Sequence, residues 1–116
     1  MKPKELPLTP RIKRLLMNPS PDELEAAILQ ALKSVPDLVV RKRWGSEMAA
    51  AGDPDITGCY RGRHFELEVK APGGRLSRIQ EVRRKEWHRA GAVVGVVHNS
   101  DEALSTLGVG NGGDPK

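Results

Sequence analysis

Cysteine is nearly absent from this sequence, and aromatic side chains are scarce: one Cys, one Tyr, one Phe and two Trp. The lone Cys59 rules out an internal disulfide and a cysteine-rich zinc site, and it suits a reducing, cytoplasmic compartment. With so few rings, a core must rest on Leu, Val, Ile and Ala, and binding of single strands by base stacking is poorly supplied. Long apolar runs are missing too. None approaches the roughly 18 residues of a membrane span, so no membrane contact is expected. The N-terminal stretch also lacks the apolar segment of a signal peptide.

What is present is a chain of 116 residues, 38% hydrophobic and 29% charged, which fits one domain with one core. Nineteen Lys and Arg against fifteen Asp and Glu give a net charge of +4, with a pI near 9.5. The excess is clustered. Lys2, Lys4, Arg11, Lys13 and Arg14 lie in the first sixteen residues, Arg41-Lys42-Arg43 form a run, and Arg75, Arg78, Arg83, Arg84, Lys85 and Arg89 follow. Such clusters suit a polyanion, although a solvated basic face is the commoner explanation.

Pro3, Pro7, Pro10 and Pro19, with no helical apolar period among them, make residues 1–19 an extended basic arm, with at most a short turn around Ile12 to Met17. Ser20 can cap a helix that has Pro21 at its first position and Leu24, Ile28, Ala31, Leu32 and Val35 on one side. Leu38-Val39-Val40 opens a strand, and residues 45–53 read as a loop. Arg61-Gly62 is a two-residue hairpin turn between segments 54–61 and 63–70. A second helix capped by Ser77 should bury Ile79, Val82, Trp87 and Ala90 and stop at Gly91. Residues 92–98 resemble a buried strand, Asp101 to Leu107 one or two helical turns, and 108–116 a flexible glycine-rich tail. The ordered domain is thus residues 20–107, an α/β unit in the order α-β-β-β-α-β.

The hairpin makes a specific claim. In its register Ile56 faces Leu67, so Phe65, Leu67 and Val69 share the core face, while His64, Glu66, Glu68 and Lys70 point the other way. Asp55 then lies opposite Glu68, with Cβ atoms about 4.5–5.5 Å apart. Directly opposed carboxylates repel unless a cation joins them. Hard oxygen donors with no adjacent His or Cys pair favour Mg²⁺, or Mn²⁺ in its place. Lys70 emerges on the same face, where an ammonium could orient water and stabilise a phosphoryl oxygen. That combination fits phosphodiester hydrolysis, whereas a solvent-facing charged ladder is the alternative. His64, His88 and His98 fall on three elements with no shared ligand spacing. Asp53 and Glu66 read as outer neighbours or solvent-facing acids.

Gly52-Asp53-Pro54-Asp55-Ile56, Phe65-Glu66-Leu67-Glu68-Val69-Lys70, and Gly74 through Leu76-Ser77 to Gln80 together resemble the virus-type replication-repair nuclease (VRR-NUC) family of the PD-(D/E)XK superfamily. The resemblance spans the first helix to the strand at 92–98. It implies a restriction-endonuclease-like core with a central mixed sheet flanked by helices. It also implies Mg²⁺- or Mn²⁺-dependent endonuclease activity, often on branched or flapped DNA. Stand-alone members of this size look like phage or bacterial proteins and tend to act as homodimers. The pattern implies Asp55, Glu68 and the Val69 carbonyl as metal ligands, Lys70 as the catalytic lysine and Gln80 as a residue completing the site. An acidic residue from the first helix is also implied. The apolar pattern favours Glu23, with Glu25 the alternative, although Ser20-x-x-Glu23 and Ser77-x-x-Gln80 both also read as capping boxes. Arg75, Arg78, Arg83 and Arg84 would hold DNA phosphates. A non-catalytic basic DNA-binding module on the same fold is the competing reading, and a sequence-specific restriction enzyme ranks below it because 116 residues leave little for base-reading loops.

Overall fold

The computed structural model describes residues 9–10, 19–44 and 50–110. The basic residues of the arm, the turn expected around Ile12 to Met17, the first part of the 45–53 loop and residues 111–116 lie outside the described residues.

Helix α1 spans Pro21–Lys33. Its capping box is complete: the Glu23 amide donates to Ser20 Oγ at 3.2 Å and the Ser20 amide to Glu23 Oε1 at 3.3 Å. Leu24, Ile28 and Leu32 form its buried stripe. A turn with Asp37 at φ 62° leads into β1, Leu38–Lys42. Strands β2, Ile56–Tyr60, and β3, Arg63–Val69, form the expected hairpin with Ile56 opposite Leu67. Its turn residues Arg61 and Gly62 both have positive φ, 50° and 84°. That pair of left-handed conformations matches the right-handed twist of the flanking strands and pins the register. Helix α2, Arg78–Arg89, crosses to β4, Val93–Val97, which runs parallel to β3, and α3, Ser100–Leu107, closes the domain. The result is an α/β domain with a four-stranded mixed sheet in the order β1-β2-β3-β4. Among the described residues no helix is long and apolar enough to cross a membrane.

The core lies on one face of this sheet. Ile28 and Leu32 of α1, Val40, Ile56, Phe65, Leu67, Val97 and Ala103 of α3 are almost wholly shielded from solvent. Gly58 sits where β1 and β3 close around it: a Cβ there would overlap the Val39 carbonyl oxygen and lie 2.5 Å from Phe65 Cζ. Neither backbone nor a fully buried ring can yield cheaply. Gly58→Ala is therefore expected to lower stability by about 2–3 kcal/mol, read as a lower urea midpoint with an unchanged m-value.

The opposite face departs from the sequence expectation. Ile79 and Val82 of α2 are each 41% exposed and Ala90 is exposed, so the apolar stripe points outward. The half-buried positions are Gln80, Arg83, Arg84 and Trp87, which recur at helical spacing and form a polar inner face. The reason is the surface beneath. The strands here present His64, Glu66 and Glu68 and offer no apolar layer for Ile79 and Val82. Trp87 docks the helix by stacking on His64 at 5.1 Å and donating from Nε1 to Asp53 Oδ1 at 3.1 Å, and Arg83 Nε donates to the Ala51 carbonyl at 3.0 Å. Gly52, at φ 84°, lets this loop press on the first turn of α2, where a Cβ would meet Ile79 at 2.8 Å. Trp87 is accordingly a half-buried docking side chain, not a core residue.

Two smaller differences have simple causes. The 92–98 segment is only half-buried through most of β4 because it forms the edge of the sheet. Gly108 belongs to the fold: its φ of 76° ends α3 in a left-handed cap, and Val109 packs on the core.

Candidate active site

The hairpin delivers Asp55 and Glu68 to one place. Asp55 Oδ2 accepts a hydrogen bond from the Val69 amide at 2.9 Å, which holds its carboxylate across from Glu68. Glu68 is buried, only 4% exposed. Burial, then a hydrogen bond with Asp55 and the charge of Asp55, pushes its carboxyl up to about 8, while Lys70 pulls it down and Glu25 adds to the rise. Glu68 thus carries a raised carboxyl against the Asp55 carboxylate, a place where a cation could stand. Lys70 is fixed by its main chain: its amide donates to the Val97 carbonyl at 3.1 Å, and its carbonyl accepts from His98 Nδ1 at 2.8 Å.

A pH signature follows. The carboxyl's ordinary value of 4.5 in the unfolded chain lies below its folded value of about 8. Its contribution to stability is full below pH 4.5 and is lost as the pH rises through 8. Glu68→Gln removes that loss. In EDTA the variant should melt above wild type at pH 9 by roughly 1 kcal/mol, or about 4–8 °C, after allowance for solvent screening at the site's mouth. The gap should close at pH 5; equal melting temperatures at both values would contradict the assignment.

Of the two acids that α1 offers, the structure places Glu25 beside the pair and Glu23 elsewhere. Glu23 reaches back to the Ser20 amide, as a residue in the third position of a helix can. Glu25 is buried, 9% exposed, and its charge bears on Glu68. Its Oε1 lies 3.2 Å from Lys42 Nζ, an ion pair by distance, yet this buried oxygen has no hydrogen bond of acceptable geometry. Gln80 likewise fulfils its capping reading: Oε1 accepts from the Ser77 amide at 2.9 Å, which leaves its amide hydrogens for any other partner.

Arg75 and Arg78 are exposed at the start of α2. Arg83 is already engaged with Ala51 and, at 2.9 Å, with Glu86, so its first task is docking the helix. Arg84 is half-buried, with an Nε that has no hydrogen-bond partner. Of the two expectations for Glu66, an outer neighbour or a solvent-facing acid, burial removes the second. Glu66 is fully buried and accepts from Arg43, Thr57 and His64. Arg43, read from sequence only as part of a basic run, is the partner that makes this burial tolerable. Its place could have been inferred from β1 pairing: the register that sets Lys42 opposite Ile56 sets Arg43 beside Asp55.

No family model matches this chain, and no curated protein is significantly similar to it.

Among the described residues no three His, Cys, Asp or Glu side chains converge closely enough to hold a metal. Mg²⁺ does not require three: it keeps several waters and is commonly bound by one or two carboxylates together with substrate phosphates. Two carboxylates in contact, one with a raised pKa, beside a buried carboxylate oxygen without a hydrogen bond fit that mode. Two shallow cavities of about 370 Å³ flank Trp87, but neither is lined by Asp55 or Glu68. The acid pair lies outside these cavities, with Asp55 half-buried and Glu68 buried.

Proposed function

We propose that this protein is a metal-dependent endonuclease with a PD-(D/E)XK core of the VRR-NUC kind, hydrolysing phosphodiester bonds in DNA. The observation that carries the reading is the contact between Asp55 and Glu68, with Glu68 pushed up to about 8 and Lys70 close enough to oppose that shift. A like-charge pair on a solvent-facing ladder would separate; this one is held in place by the Val69 amide.

Asp55 and Glu68 would hold Mg²⁺ or Mn²⁺, with the Val69 carbonyl and Glu25 as adjacent oxygen donors. When bound, the ion would acidify a water and offset charge on the phosphate. Lys70 donates to a non-bridging phosphate oxygen and steadies the negative charge that develops there. Glu25, held near Lys42, adds its negative charge beside the pair. Arg75, Arg78 and Arg84 bind flanking phosphates, and Arg83 keeps α2 against the Ala51 loop so that they face the same strand. Gln80 supplies amide hydrogens at the helix start.

Branched DNA, a flap or four-way junction, is the substrate proposed, with two copies of the chain cutting two strands of a junction symmetrically. Labelled duplex, flap and junction DNA incubated with EDTA, Mg²⁺ or Mn²⁺ test the reading. Cleavage in the metal lanes only supports it, and the ranking of substrates sets the preference. Salt-sensitive binding without cutting in any lane would instead make this a DNA-binding module.

A further inference from the structure

Segment 53–55 carries a proposed metal ligand but has no regular secondary structure, so its geometry must come from outside. Besides the local bond from the Asp53 amide to the Ala50 carbonyl at 3.3 Å, four hydrogen bonds from Arg43, β3 and α2 supply it. Trp87 Nε1 holds Asp53 Oδ1 at 3.1 Å, Arg43 Nη1 holds the Pro54 carbonyl at 2.7 Å, the Arg43 amide holds the Asp55 carbonyl at 2.7 Å, and the Val69 amide holds Asp55 Oδ2 at 2.9 Å. Arg43 contributes two of them. Pro54 is almost fully buried, so its carbonyl depends on a protein donor. The guanidinium that provides it is itself fixed, forked onto both oxygens of Glu66 and lying 5.4 Å over the Trp87 ring.

A cation so near an intended cation site would ordinarily oppose metal binding. Here buried Glu66 cancels the charge, so Arg43 gives rigidity without repulsion. From this geometry we infer that Arg43 is the positioning residue for metal binding: it locks the Asp53-Pro54-Asp55 peptide so that the Asp55 carboxylate stays beside Glu68. The inference rests on the proposal that this pair takes a divalent ion. Arg suits the place better than Lys because its planar fork reaches both Glu66 oxygens from two nitrogens while Nη1 still donates to the Pro54 carbonyl, a spread that a point-like ammonium does not match.

The test is calorimetric titration of Mn²⁺ into DNA-free, full-length wild type, Arg43→Lys and Trp87→Phe, with a thermal melt of each. Arg43→Lys keeps a cation beside Glu66 and so keeps the fold. Its Mn²⁺ dissociation constant should rise about 10-fold or more, the usual consequence of losing an outer-shell support. Cleavage by this variant should recover toward wild type at saturating Mn²⁺, a split that a merely structural role would not produce. Trp87→Phe keeps an aromatic ring and loses one bond to Asp53, for a rise of about 3-fold; if Arg43→Lys does not fold, the double variant Arg43→Met, Glu66→Leu, which leaves no unpaired charge, removes the same bond to Pro54 and decides the matter by the same rise. Dissociation constants within experimental error of wild type in folded variants would overturn the inference. No Mn²⁺ binding by wild type would overturn the metal reading itself, which is a separate and recognisable result.

Discussion

Asp55→Asn is expected to lower metal-dependent cleavage by about 10³-fold or more while raising the melting temperature of the metal-free protein at pH 8 and above. The two effects have one origin. The asparagine Oδ1 can still accept from the Val69 amide, the bond made by Oδ2 in the native protein, so the hairpin end keeps its shape. What disappears is one negative charge. For catalysis that removes half of the carboxylate pair that would hold the ion, in a class of chemistry where electrostatic stabilisation is commonly the largest contribution. For stability it relieves Glu68, whose carboxyl is held up at about 8 by burial, by its hydrogen bond to Asp55 and by the charge of Asp55. A rise in stability with a loss of activity is the mark of a group retained for function. The checks are single-turnover cleavage and thermal melts in EDTA. Cleavage within tenfold of wild type, or no change in melting at pH 8–9, would return Asp55 to the status of a surface charge.

The largest loss of stability is expected at Glu66. Its carboxylate is fully buried and receives Arg43, Thr57 and His64. Burial alone would lower the Arg43 pKa, but the hydrogen bond and charge of Glu66 more than reverse that, so the guanidinium stays charged. Glu66→Leu would leave Arg43 and Thr57 facing a hydrocarbon. Removing one partner of a buried pair typically costs about 3–5 kcal/mol, a large fraction of what a domain of this size possesses. The double variant Arg43→Met, Glu66→Leu should recover most of the loss, because no unpaired charge remains. Urea denaturation of the three variants measures this. A Glu66→Leu midpoint close to wild type would mean that the pair is solvated in solution.

The sequence made parts of this molecule legible for local reasons. The hairpin could be read because Arg61-Gly62 fixes a two-residue turn, and a two-residue turn leaves one register; with it came the meeting of Asp55 and Glu68. The α1 stripe was legible because Leu24, Ile28 and Leu32 have no competing face. Helix α2 was not, since Ile79 and Val82 define one face by hydrophobicity while Gln80, Arg83 and Arg84 occupy the face that is covered. Its orientation was decided by the polar strand surface opposite, which no window of helical sequence contains. Arg43 and Glu66 are 23 residues apart, and their pairing requires β1 to lie beside β2, a non-local fact. The choice between Glu23 and Glu25 likewise turned on which acid faces Lys42 across the α1–β1 contact.

The polar underside of α2 also bears on how the domain breathes. None of its residues is buried, and it is held by a ring stack and a handful of hydrogen bonds, whereas α1 and α3 are anchored by a continuous apolar cluster. Partial opening follows the weakest attachment, and little hydrocarbon is exposed when this helix lifts. The basic helix can therefore change its height above the strands without disturbing the apolar interior, but because Trp87 rides on it and holds Asp53, each such excursion slackens the segment that carries Asp55.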